Sequence, residues 1–217
     1  MSLFTWLRRL LRGRLVPATV VSSVVASALA VLTLSGSLSG FAASITNSTN
    51  TAGTGTLVMQ ESNATGTVTC TSDSGGVSTN TATCAGINKF GGSTTMVPGT
   101  PIATTVDISN VGTVPANTFT LAPGGSCTQS DNGSVNGAAT DLCSQMTVSI
   151  TVGTSTTPVF SGTLAALAAL STPITLPTPV AAGAKVPVTF TVELPSSAGN
   201  SYQGLQASLP LTWTFDS

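Results

Sequence analysis

Four cysteines, Cys70, Cys84, Cys127 and Cys143, carry the most evident chemistry in this 217-residue chain. Four thiolates can hold zinc, but such sites use closely spaced CxxC-like pairs, and no two of these cysteines are that close. Disulfide formation is the other chemistry open to them. Three pairings exist; the local one, Cys70–Cys84 with Cys127–Cys143, closes two short loops rich in Gly, Ser, Asn and Asp. Each such bridge removes roughly 3 kcal/mol of unfolded-chain entropy. Histidine is absent, so HExxH metal sites, Ser-His-Asp triads and Cys-His pairs are excluded. Ser/Lys chemistry is the arrangement left, and neither Lys89 nor Lys185 lies in a recognisable motif. Both lysines read as solvated, since an isopeptide bond to an asparagine would need an acid partner that the sequence does not identify. The chain therefore reads as a non-enzyme without cofactor or metal.

Charge is scarce and unevenly placed. Six Lys and Arg face seven Asp and Glu, and only 6% of residues are charged. Four of the six bases are Arg8, Arg9, Arg12 and Arg14, whereas every acid lies beyond residue 60. No basic footprint for nucleic acid exists. With 41% hydrophobic residues the chain can bury a core, and its solubility rests on Thr, Ser, Asn and Gly. A surface with so little repulsion permits close association between copies. Asn47, Asn63 and Asn132 stand in Asn-X-Ser/Thr sequons, which this composition generates easily by chance.

The first 42 residues have the layout of a secretory signal: a basic stretch to Arg14, an apolar run from Leu15 to Leu34, then small residues up to Ala43. Cleavage after Ala42 puts Gly40 and Ala42 at the two small-residue positions; cleavage after Ala43 would put bulky Phe41 there. Export, a signal peptidase as transient partner and a secreted destination follow. The competing reading is an uncleaved anchor, because the apolar run is long enough to span a bilayer. Membrane contact is expected only through this segment.

The elements that must position the rest are strands. Val186, Val188, Phe190, Val192 and Leu194 alternate with polar residues or proline, as do Leu205 to Phe215 and Met146 to Val152. Ile102–Ile108 and Val114 with Phe119–Leu121 mark two more, joined through Asn110-Val111-Gly112, and Thr54–Met59 and Val68–Cys70 are weaker. One buried and one solvated face is the antiparallel pattern. The expectation is an all-β fold, an antiparallel jelly-roll or immunoglobulin-like sandwich over residues 57–217. One short helix is expected at Leu164–Leu170, where leucine recurs every third residue. Pro187 and Pro210 interrupt good strand patterns, which predicts an edge or a bulge at each. Residues 43–56 are polar and weakly patterned, a flexible N-terminal segment.

Several motifs carry a resemblance. Phe41-Ala42-Ala43 followed by Asn47, the run Asn50 to Leu57 with its Gly-Thr-Leu ending, Asn110-Val111-Gly112, and the closing stretch Tyr202 to Trp213 together resemble the TasA/camelysin family of exported biofilm-matrix fibre proteins. These motifs cover about a third of the chain. The resemblance implies a jelly-roll subunit released by a dedicated signal peptidase, whose freed N-terminal segment inserts as a strand into the next copy. Ala43, Ser44, Ile45, Thr46 and Asn47 would begin that donor strand, with Ile45 its one large apolar residue, and the partner would be a homopolymer. Without the resemblance, residues 43–56 read as a plain tail. The alternative function is a monomeric secreted binding or adhesion module that presents its disulfide-closed loops.

Overall fold

Alternation is the cause of most of the fold. The computed structural model describes residues 44–217; the signal segment, with the cleavage residues Ala42 and Ala43, lies outside the described residues. Gly53–Ser217 forms one unit, and Ser44–Ala52 belongs to another. Ser44–Ala52 contains no strand or helix, and every residue in it is exposed.

The strands, in chain order, are β1 (Met59–Asn63), β2 (Thr69–Thr71), β3 (Ile102–Asn110), β4 (Thr118–Pro123), β5 (Thr128–Asp131) and β6 (Thr147–Val152). They continue with β7 (Phe160–Thr163), β8 (Ile174–Thr175), β9 (Lys185–Glu193), β10 (Leu205–Ser208) and β11 (Leu211–Asp216). Among the described residues there are also two short α-helices, α1 (Leu142–Gln145) and α2 (Leu164–Ala168), and two 3-10 turns, Ser72–Gly75 and Asn200–Tyr202. Every strand pair is antiparallel. A six-stranded sheet runs in the order β2-β1-β3-β9-β6-β7, a three-stranded sheet in the order β11-β4-β8, and β10 pairs with β5. The described residues form an all-β fold.

The core lies between these sheets. Val106 and Ile108 of β3, Val148 and Ile150 of β6, and Val188 and Phe190 of β9 are all fully or almost fully buried. From the smaller sheet come Phe119 and Leu121 of β4, also fully buried. Phe190 meets Trp213 of β11 edge-on at 6.0 Å between ring centroids, and Trp213 lies 5.8 Å from Phe119. Burying each such large side chain contributes about 1.5–3 kcal/mol. Helix α2 adds Leu164 and Leu167, the leucines whose spacing predicts it. Thr163 caps it by accepting a hydrogen bond from the Ala166 N–H at 3.1 Å.

Four expectations need correction. The weak strand expected at Thr54–Met59 is displaced along the chain, since β1 begins only at Met59 and runs to Asn63. Residues 205–215 do not form one strand: the ladder breaks at Leu209-Pro210, giving β10 and β11, although Leu209 stays buried and the alternation runs through. Gly124, in the matching break between β4 and β5, donates its N–H to the Pro210 carbonyl at 2.8 Å. Pro187 is on neither an edge nor a bulge, because β9 has β3 on one side and β6 on the other. Its carbonyl accepts from the Gly153 N–H at 2.8 Å, just past the end of β6. Its nitrogen faces the same way, so no ladder bond to β3 is lost. Among the described residues the α-helix count is two, since α1 forms where no helical pattern is legible.

Both disulfides join the local partners, Cys70–Cys84 and Cys127–Cys143. Two bridges suit an oxidising compartment. Among the described residues no helix is long and apolar enough to cross a membrane.

Candidate functional site

Two of the short sequence motifs meet in space. Asn110, at the end of β3, is fully buried; its side-chain oxygen accepts from the Gly112 N–H at 3.0 Å. Its amide donates to the carbonyls of Val114 (2.8 Å) and Val180 (3.0 Å). The turn so pinned holds the incoming chain. Val111 and Thr113 donate to the carbonyls of Val58 (2.9 Å) and Thr56 (2.7 Å), and Thr56 N–H donates to Thr113 Oγ1 at 2.8 Å. Gly112 is required because a Cβ there would collide with the backbone of Thr56 to Val58. The same holds at Gly55 against the Val114 side chain. The last two residues of the 43–56 segment are thus docked on the body, and the uncommitted stretch ends at Thr54.

The closing stretch of the chain builds a groove. Strands β10 and β11 each have one neighbour, β5 and β4, and among the described residues no strand pairs with their outer edge. Along that edge runs a groove of about 1220 Å³. It is lined by residues between Gly199 and Asp216, which form the wall on the β10–β11 side, and by residues of β1, β2, the loop from Thr79 to Pro98 and a few core positions such as Leu142 and Val192. Leu205, Leu211, Trp213 and Phe215 are half-buried and pack on the core from this wall. The groove therefore offers unpaired backbone beside apolar side chains, which is what an added strand needs.

One part of the groove is polar. Glu61 of β1 is only 6% exposed, and Lys89 Nζ lies 2.7 Å from its Oε1. The contact does not have hydrogen-bond geometry and acts as a charge pair. The Lys89 ammonium also sits 5.8 Å from the centre of the Trp213 ring, a cation–π arrangement. Trp213 Nε1 is buried and has no hydrogen-bond partner among the described residues. Lys89 is held there because its neighbours Ile87 and Phe90 anchor the loop, Ile87 buried and Phe90 edge-on to Phe190 at 6.4 Å. The solvated reading of Lys89 is therefore corrected. Lys185 keeps much of its exposure, yet it too has an acid partner, Asp107 at 2.9 Å.

A separate polar contact closes the α1 end, where the Tyr202 hydroxyl donates to Asp141 Oδ1 at 2.8 Å. That bond first, and a second from Gln145, hold the Asp141 carboxyl below its usual value, while the tyrosine is pushed up by the same carboxylate.

Of the sequence-selected residues, the cysteines are joined in pairs, Ser44 to Asn47 are exposed, with Ile45 95% exposed, and Ala42 and Ala43 fall outside the described residues. Sequence reasoning missed Glu61 as a site residue. A usable signal exists in retrospect: Lys89 is one of two lysines in the body and stands between apolar Ile87 and Phe90. Among the described residues no group of three or more His, Cys, Asp or Glu is placed to hold a metal. No protein-family model matches the chain, and no curated protein is significantly similar to it.

Proposed function

We propose that this chain is the subunit of an extracellular fibre. It is exported behind a signal segment cut after Ala42, folds as a jelly-roll-type sandwich, and polymerises by laying residues 43–54 of one copy along the free β10–β11 edge of the next. The observation that carries this reading is the edge of β10 and β11, unpaired among the described residues, beside a groove of about 1220 Å³ that Leu211, Trp213 and Phe215 help to line. Exposed edges of this kind invite strand pairing unless something covers them. The covering segment proposed has no charged side chain and one large apolar residue, Ile45, left in solvent. Backbone hydrogen bonds would supply affinity and the alternate side chains register. The resemblance to the TasA/camelysin fibre proteins supports the same mechanism, and the two disulfides fit a subunit that works outside the cell.

Negative-stain microscopy of the mature chain and of a form starting at Gly55 tests the reading. Filaments from the longer form alone are expected, with both forms showing the same melting transition. Filaments from both would overturn strand donation. Monodisperse particles from both, at high concentration, would return the protein to a secreted binding module.

A further inference from the structure

We infer that the Glu61–Lys89–Trp213 cluster is a binding subsite for a primary carboxamide carried on an extended strand, and that the side chain of Asn47 from the next copy fills it. This inference rests on the fibre reading above. The cluster lines the groove with an incomplete set of partners: the buried indole N–H donates to nothing among the described residues, and the Lys89–Glu61 charge pair lacks hydrogen-bond geometry. An incoming group must accept from the indole N–H and from Lys89, and donate to Glu61. A carboxylate meets the Glu61 charge and an ammonium meets Lys89, so each is repelled by one member. A hydroxyl has a single proton and serves fewer partners. A carboxamide presents an acceptor oxygen and two N–H donors without net charge, and unlike a second ion it brings no new charge to desolvate.

The N-terminal segment contains two carboxamides, Asn47 and Asn50. Successive residues of a strand face opposite sides, so residues two apart share a face. Asn47 shares its face with Ile45; Asn50 does not. Along β11 the residues flanking Trp213 on its own face are Leu211 and Phe215, both half-buried and packed on the core. Whichever direction the donor runs, an Asn47 level with Trp213 brings Ile45 level with one of these two. The apolar residue and the carboxamide thus find matching surfaces at the same spacing, which fixes register. A one-residue slip would turn both side chains to solvent.

The test uses the full mature chain and reads filament growth by light scattering and negative stain. Asn47→Ala and Asn47→Asp should raise the concentration needed for filaments at least about tenfold, the scale of lost hydrogen bonds to charged partners. Asn50→Ala should leave it unchanged. Both positions are exposed in the subunit, so none of these variants bears on folding. Trp213→Phe, checked by its melting transition, should weaken growth similarly, and adding Asn47→Ala to it should cost little more. Equal growth of the Asn47→Ala and parent chains would overturn the subsite and leave strand donation standing. Full additivity with Trp213→Phe would overturn the contact, as would a glycan found on Asn47 in filaments by mass spectrometry. Absence of filaments from the parent would overturn both readings together.

Discussion

At the scale of single residues, the low charge makes each polar contact consequential. Asp141 and Tyr202 give the measurable case, since their hydrogen bond lowers one pKa and raises the other. A carboxyl depressed by folding contributes stability above its unfolded value, near 3.8, and loses it as pH falls through the lower folded value. The raised tyrosine contributes below its ordinary value of 10.0 and loses that as pH rises through the higher folded one. Tyr202→Phe should therefore return the Asp141 carboxyl upward toward its usual range, read by carboxyl NMR titration. Its stability deficit relative to the parent should be constant between about pH 5 and 8 and shrink below about pH 4. A deficit that persists unchanged at pH 2 would mean that Tyr202 acts through packing alone. Asn110 is the second case. One buried amide answers two carbonyls and one N–H, which explains why an asparagine followed two residues later by glycine stands at this turn.

At the scale of elements, alternation locates strands well and interruptions poorly. The Val186–Leu194 pattern, the Met146–Val152 pattern and the Leu164–Leu167 spacing each lead to the observed element because side-chain burial alone fixes them. Strand β5, Thr128-Gln129-Ser130-Asp131, is illegible because it is polar throughout and is held by pairing with β10. Strand β7 is short and glycine-containing, and α1 is four residues long and has no period to detect. The groove is less legible still. Its wall from Leu205 to Phe215 is evident, but Glu61 and Lys89 come together only through β1 and a long loop. Pro187 shows how a rule read from sequence depends on a neighbour's length: the proline is tolerated in a central strand because β6 ends beside it. Pro187→Val should accordingly change stability by less than about 1 kcal/mol. Val188→Pro, one residue on and paired with Val106, should cost about 3 kcal/mol or more or prevent folding. Denaturant unfolding of the two variants checks the contrast; a large loss from Pro187→Val would mean that its ring packing, and not the missing neighbour, decides the site.

At the scale of the whole molecule, the chain has two ends of unequal commitment. The last strand packs on the core through Trp213 and Phe215, yet among the described residues one of its edges has no paired strand. The uncommitted N-terminal stretch stops at a defined place, where Thr56 is fastened to Thr113 and Val114 and Gly112 admits the passing backbone. That fastening acts as the zero mark of a ruler. On the strand-donation reading, twelve residues from Ala43 to Thr54 can reach about 40 Å when extended, so the axial repeat of the fibre is set by arm length measured from the Asn110 turn. Two extra residues inserted between Ala52 and Gly53 should lengthen the repeat by up to about 7 Å without moving Ile45 or Asn47 to the other face. Averaged filament images measure that directly, and an unchanged repeat would mean that body-to-body contacts set the spacing. Evolution could then retune the pitch of such a fibre by insertion or deletion in a stretch that the folded body never has to accommodate.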